Sequence, residues 1–209
     1  MDGMSAAAHF IAGAEGLRRQ YAPPTENVRR KALTRLDPHC RRFIALSPFL
    51  CLGTCGPDGA DVSPRGDPPG FVLVLDDRTL LIPDRPGNNR IDSLSNLVAN
   101  PQIGILFIIP GIDETLRVNG VARITSDPAL LARAAVNGRP PASALLVEVR
   151  EAFLHCAKAL MRSRLWHDDY KVERRTLPSL GKMFADQLQG FTAEQADTAI
   201  NRDYAERLY

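Results

Sequence analysis

Three polar stretches of this chain carry residue types that could do chemistry together. The first is Asp61-Val62-Ser63-Pro64-Arg65-Gly66-Asp67-Pro68-Pro69-Gly70, between two hydrophobic runs. Its prolines fix φ and lack an amide hydrogen, and its glycines permit turns that other residues resist. Such a backbone can wall a planar ligand, with Ser63 and Arg65 presented to it; a plain loop is the alternative. The second is Ile82-Pro83-Asp84-Arg85-Pro86-Gly87-Asn88-Asn89-Arg90, leading into an expected helix. A helix N-terminus offers unpaired amides and a partial positive charge. Arg85 and Arg90 add forked donors suited to phosphate, and Asn88 and Asn89 add neutral ones. The stretch reads as a phosphate cradle, or as a helix cap with surface charge. The third runs from Phe153 to Trp166. Read as a helix, it sets His155, Lys158, Arg162 and Trp166 three or four residues apart on one face. That face suits an anionic, planar cofactor; otherwise it is a solvated stripe with Trp166 in the core.

Other chemistries lack their motifs. The chain has no G-x-G-x-x-G after a strand, no G-x-x-x-x-G-K-[ST] and no G-x-S-x-G. Its 4 histidines show no metal-ligand spacing, so no metal is expected. Cys51 and Cys55 on one strand would stand about 13 Å apart, too far for a disulfide. Cys40, Cys51, Cys55 and Cys156 are expected as buried, reduced thiols.

The elements that must position these residues follow from periodicity and punctuation. Residues 1–47 read as helical, with Asp37-Pro38 starting a helix that Ser47-Pro48 ends. Phe49–Cys55 and Ala60–Ser63 flank the turn Gly56-Pro57-Asp58-Gly59 and form a hairpin. Phe71–Leu75 and Thr79–Pro83 suggest a second. Ile91, Leu94, Leu97 and Val98 recur at helical spacing, so Asn88–Asn100 reads as a helix stopped by Pro101. Gln102–Ile109 reads as a strand and Thr115–Thr125 as a long one, with a bulge or bend at Gly120. Asp127-Pro128 opens a short helix, Ala144–Val149 is a strand, and Phe153–Leu165 a helix. The tail from Pro178 is helical, with Thr192-Ala193-Glu194-Gln195 in capping-box form. Many short strands with turns between them predict an α+β, mainly β fold: an antiparallel barrel of about six strands with peripheral helices. The expected division is a helical extension over 1–39, the barrel domain over 40–170 and a helical tail over 171–209.

Bulk properties exclude little. With 209 residues, 44% hydrophobic, 24% charged and a formal net charge of +2, the chain suits an ordinary globular protein. The arginine pairs lie among acidic residues rather than in the basic stripe that nucleic acid needs. No run approaches a membrane span. Ala6–Ala14 is mildly apolar but short, and His9 interrupts it, so no signal peptide and a cytoplasmic location are expected.

At the three stretches, over roughly Cys40 to Trp166, the chain resembles the pyridoxamine-phosphate-oxidase-like FMN-binding split-barrel superfamily. The segment from Arg85 through Asn100-Pro101 is the most specific part, joined by Val62-Ser63-Pro64-Arg65-Gly66-Asp67 and His155-Cys156-x-Lys158-Ala159. The resemblance implies that Ser63, Pro64 and Arg65 approach the flavin ring, beside Ile82 and Pro83. It implies that Asn88, Asn89 and Arg90 stand where the oxidases carry the Ser-Arg-Lys that grips the FMN phosphate, with Arg85 adding charge. Thr115 stands where the oxidases carry a flavin-contacting glutamine. Arg65 or Arg117 would stabilise reduced flavin near N1 and C2=O, while Lys158, Arg162, Ser163 and Trp166 would close the site from the same or the neighbouring subunit. The implied assembly is a homodimer with FMN at the interface, and the implied activity an FMN-dependent oxidoreductase acting on a small molecule. A non-catalytic flavin-binding or redox-sensing protein, and a related barrel using deazaflavin or haem, are the competing readings; His155 and His39 would be the haem ligands.

Overall fold

The computed structural model describes residues 10–209. Residues 1–9 lie outside that range, and with them part of the helical reading of 1–47 and the Ala6–His9 portion of the stretch weighed as a signal peptide. The chain divides into two compact units, Met1–Ala32 and Leu33–Tyr209. Within the first, α1 (Gly13–Gln20) and α2 (Glu26–Arg30) are separate short helices. Pro23-Pro24 parts them, since proline disfavours helix at the preceding residue, so one continuous N-terminal helix does not form.

The second unit opens with α3 (Pro38–Leu46). Asp37 caps it by accepting from the Cys40 amide at 2.8 Å, with Pro38 in the first turn. Seven strands follow, all paired antiparallel: β1 (Phe49–Gly56), β2 (Gly59–Gly66), β3 (Leu73–Val74), β4 (Thr79–Pro83), β5 (Gln102–Ile108), β6 (Thr115–Thr125) and β7 (Ala144–His155). Their order is β2-β1-β5-β6-β7-β4-β3, seven strands against an expected count of about six, and β3 and β4 form the expected second hairpin with β3 shortened to Leu73–Val74. One core, including Leu50, Leu52, Ile82, Phe107, Leu116 and Val147, fills the inner face. Across the ladder, Arg65 shares a row with Leu50, Phe107, Leu116 and Leu154, whereas Pro83 pairs with Ala144 at the far end of β7. Arg65 and Pro83 nonetheless line the same cavity. The sheet therefore curls and staggers as barrel closure demands.

The bulge expected at Gly120 is present as a register shift between Asn119 and Gly120. A Cβ there would stand 2.3 Å from the Glu148 carbonyl oxygen, so only glycine fits. The helix expected over Phe153–Leu165 is not formed. Phe153, Leu154 and His155 instead complete the ladder with β6, and Ala152 lies inside while Phe153 faces out. Backbone pairing along a long neighbouring strand outweighs helical spacing of the same side chains. Only Lys158–Ser163 is helical here (α6), ended by Arg164 at φ 49°. α5 (Pro128–Arg133) begins at the Asp127 cap. α7 (Leu180–Gln187) and α8 (Ala193–Glu206) form the tail, and the Thr192–Gln195 capping box is complete. No helix among the described residues is long and apolar enough to cross a membrane.

Candidate functional site

The elements above enclose a cavity of about 680 Å³, a size ordinary for small-molecule sites. Its floor is the start of α4, which covers Asp92–Ala99 rather than the expected Asn88–Asn100. The difference has a local cause. Asn89 and Ile91 adopt φ of 59° and 53°, left-handed conformations that a helix cannot include. Pro86–Arg90 is consequently a loop laid over the helix end. Ile91 occupies the cap position and supplies no side-chain cap, so the first-turn amides of α4 lack the partner a polar cap would bring. Asp92, Ser93 and Leu94 line the cavity at that end. The helix is pinned to the barrel by Asn96, whose Nδ2 donates to Thr54 Oγ1 at 3.1 Å.

The wall opposite is β2, an edge strand, where proline is tolerated. Asp61, Ser63 and Arg65 alternate on its half-buried face. Arg65 Nη1 donates to Ser63 Oγ at 2.8 Å and to the Pro64 carbonyl at 2.9 Å. Ser63 Oγ lies 2.8 Å from the buried Ser93 Oγ, which donates to Asp61 at 3.4 Å. This relay fixes the Arg65 guanidinium at the cavity rim. Beyond the strand, Asp67 receives Arg85 Nε at 2.6 Å, and their side chains are 2% and 17% exposed. Arg85 Nη1 also donates to the Ala134 carbonyl at 2.9 Å. Arg85 is thus spent largely on tying the segment after β2 to the segment after α5. Arg90 pairs with Asp92 at 2.8 Å in the open, an exposed pair of small net worth. Asp84 lines the cavity half-buried; burial raises its carboxyl above the usual range, and the Arg65 charge partly offsets this.

Of the residues singled out in sequence, the structure brings Pro64, Arg65, Pro83, Arg85, Asn88, Asn89 and Arg90 to this one cavity. Ser63 stands behind Arg65, and Ile82 is buried in the core at 1% exposure. The others form a second group at the opposite end of the β6–β7 ribbon, where Thr115 pairs with His155. None of that group lines the cavity. Arg117 donates from Nη2 to Glu151 at 2.6 Å and lies over the Phe153 ring at 5.2 Å, while its Nε is buried without a partner. Lys158, Arg162 and Ser163 lie exposed on α6, and the Ser163 hydroxyl donates to the Leu160 carbonyl at 3.0 Å. Trp166, beyond the helix, is half-buried and donates Nε1 to the Ile112 carbonyl at 3.0 Å. His155 therefore shares no helix face with Lys158, Arg162 and Trp166. His155 packs edge-on to Phe153, and His39 is exposed on α3. Of the four thiols, all free, only Cys40 is buried, and burial pushes it up to about 11. Cys51 faces out of the sheet, and Cys55 and Cys156 sit exposed at strand ends, against the expectation of buried thiols. No cluster of metal-ligating side chains occurs among the described residues.

Sequence reasoning missed several lining residues. Ser93, Arg139 and Tyr209 come from a helix turn, a tight turn and the tail. Tyr209 donates its hydroxyl to Asp67 at 2.7 Å across 142 residues, a contact with no local signal. Asp67 and Asp84 stand inside the stretches singled out, but their types alone do not say that one is buried in an ion pair and the other faces the cavity.

The family model described as pyridoxamine 5'-phosphate oxidase matches residues 36–156, which hold both groups up to the end of β7. The chain belongs to the pyridoxamine 5'-phosphate oxidase family. A search of the curated proteins finds no match. Among solved structures, HupZ of Group A Streptococcus is 21% identical, covers 56% of this chain and 92% of its own, and superposes with a TM-score of 0.46. A Clostridium acetobutylicum protein related to general stress protein 26 is 16% identical, with 56% and 85% covered and a TM-score of 0.44. An FMN-binding protein of Syntrophomonas wolfei is 10% identical, with 56% and 88% covered and a TM-score of 0.40. Each matches little more than half of this chain.

Proposed function

We propose that the protein is an FMN-dependent oxidoreductase acting on a small molecule, and that it works as a homodimer. The observation that carries this reading is the uncapped start of α4 opening into a cavity ringed by Arg65, Arg90 and Arg139 and walled by Pro64 and Pro83. Free amides at a helix N-terminus favour a phosphate, and guanidinium forks suit its oxygens. The loop Pro86–Arg90 would lay Asn88, Asn89 and Arg90 along that phosphate. Arg85 contributes by fixing the loop through Asp67 rather than by gripping the ligand itself. The prolines offer flat surfaces without amides to satisfy, which suits a planar ring. Arg65, held by Ser63 and the Pro64 carbonyl, would present a fixed positive charge where a reduced ring becomes anionic. FMN, when bound, supplies hydride or single-electron transfer, and the protein supplies orientation and charge.

A second copy of the chain joins the two groups of site residues. The outer face of β1, β2 and β5 carries Phe49, Cys51, Val62, Pro64, Leu106 and Ile108. Val62 is 68% exposed, a placement that asks for cover when its neighbours are also apolar. The same face continues to Arg117, whose buried Nε lacks an acceptor. An isologous contact there would set Thr115, Arg117, Lys158, Arg162 and Trp166 of each copy toward the other's cavity.

Calorimetric titration with FMN and with riboflavin tests the reading. The account expects FMN to bind at least tenfold more tightly, since the α4 cradle recognises phosphate. Equal affinity for the two would remove the cradle from the function. Retained FMN with no turnover of nicotinamide donors or oxygen would leave a flavin-binding protein without catalysis.

A further inference from the structure

The tail beyond α6 makes a self-contained helical arm on an exposed connector. Ser179 Oγ donates to Asp197 at 2.6 Å, and the Gly181 amide donates to the same carboxylate at 2.8 Å. A Cβ on Gly181 would meet Asp197 Oδ1 at 2.5 Å and the Ala193 carbonyl oxygen at 2.6 Å, so α7 and α8 pack in contact. Each of these helices packs chiefly against the other. The connector from Arg164 to Pro178 is exposed except at Trp166 and holds only two short 3-10 turns. Ser179, Gly181 and Thr192 spend their hydrogen bonds inside the arm, whereas Tyr209 sends its hydroxyl across to the buried Asp67. The Tyr209 ring stands 5.9 Å from the Arg85 guanidinium and lines the cavity.

We propose that Tyr209, carried at the end of the α7–α8 arm, is a latch on the cavity, holding a bound ligand in place by its bond to Asp67. The cavity keeps its 680 Å³ with Tyr209 seated, so the closed latch is compatible with an occupant. Entry and exit then require the Tyr209–Asp67 bond to open. The proposal rests on the cavity being the FMN site, and its test separates the two.

Stopped-flow FMN fluorescence on wild type and Tyr209→Phe reads the latch directly. A gate obeys a kinetic signature: losing the hydroxyl speeds association and dissociation together, here by about fivefold to tenfold, and leaves Kd within about threefold. Dissociation accelerated alone would make Tyr209 an ordinary contact and overturn the latch, as would unchanged rates. Leu208→Ala, at an exposed neighbour, should move neither rate. Trypsin on the ligand-free protein supplies the independent readout, since Arg164, Lys171, Arg174 and Arg175 stand in the connector. Faster cleavage there in Tyr209→Phe, at unchanged melting temperature, supports the latch even if FMN fails to bind; equal cleavage overturns it.

Discussion

The two ends of the β6–β7 ribbon solve opposite problems. At the Ala144 end, most charged groups facing the cavity are paired within one chain, Arg85 with Asp67, Arg90 with Asp92 and Arg65 with Ser63, and Asp84 is the exception. At the Thr115 end, Arg117 keeps a buried Nε without an acceptor beside an outward face of Phe49, Val62 and Leu106. Polar groups sealed from solvent are costly unless paired. The first end is therefore largely paired within one chain, and the second leaves an apolar outer face that the proposed dimer would cover. The Gly120 bulge lies between them and sets the twist that aims each end.

Breaking the paired end should produce the largest effect. Arg85→Ala strips the cationic partner from Asp67, whose side chain is 2% exposed and keeps only the Tyr209 hydroxyl. Removing one member of a buried pair costs about 3–5 kcal/mol, so urea unfolding should show a loss near that range. A loss under about 1 kcal/mol would mean that Asp67 finds solvent and the closure does not depend on the pair.

The next effect strikes the end with the apolar outer face. Val62→Glu places a carboxylate on the apolar outer face without touching the core, since Val62 is 68% exposed. Sedimentation should show a dimer turning to monomer, with flavin affinity falling at least tenfold and the melting temperature of the monomer little changed. A variant that stays dimeric would put the interface on another face.

A smaller change is expected at Arg90. Its guanidinium already pairs with Asp92 in solvent, so Arg90→Ala removes a charge-assisted bond to phosphate while freeing that partner. FMN affinity should fall about tenfold, with riboflavin affinity unchanged. An equal fall for both ligands would remove Arg90 from the phosphate.

The subtlest test is Asp84, and it depends on pH. Burial raises its carboxyl, so folding favours the protonated form. The wild type therefore bears no ionisation cost below the ordinary Asp value near 3.9. It loses stability as pH rises through the elevated folded value. Asp84→Asn should melt slightly higher than wild type at pH 7 and alike at pH 3. It should also tighten FMN, since a negative charge leaves the cavity. A variant less stable at pH 7 would show that the carboxylate has a partner worth more than its burial costs.

What could be read from sequence divides along the same line. Local signals carried the scaffold: Asp37-Pro38, Asp127-Pro128 and the Thr192–Gln195 box each mark a helix start, and β6 spans Thr115–Thr125 as its pattern implied. Gly120 marks its bulge because a Cβ there would collide with the Glu148 carbonyl, whereas Gly53 and Gly104 sit in regular register. Phe153–His155 misled because the segment satisfies helical spacing and strand alternation alike, and only pairing with β6 decides between them. The helical spacing of Ile91, Leu94, Leu97 and Val98 extends the expected helix back to Asn88, yet the left-handed Asn89 and Ile91 push its start to Asp92. The Tyr209–Asp67 and Ser63–Ser93 contacts join segments far apart in the chain, and no local pattern encodes them.

FMN added to the purified protein, followed by desalting and an absorption spectrum, asks whether this cavity holds the flavin. Twin flavin bands should be retained at about one flavin per chain. Loss of all flavin on desalting, from a protein shown to be folded and dimeric, would contradict FMN binding there.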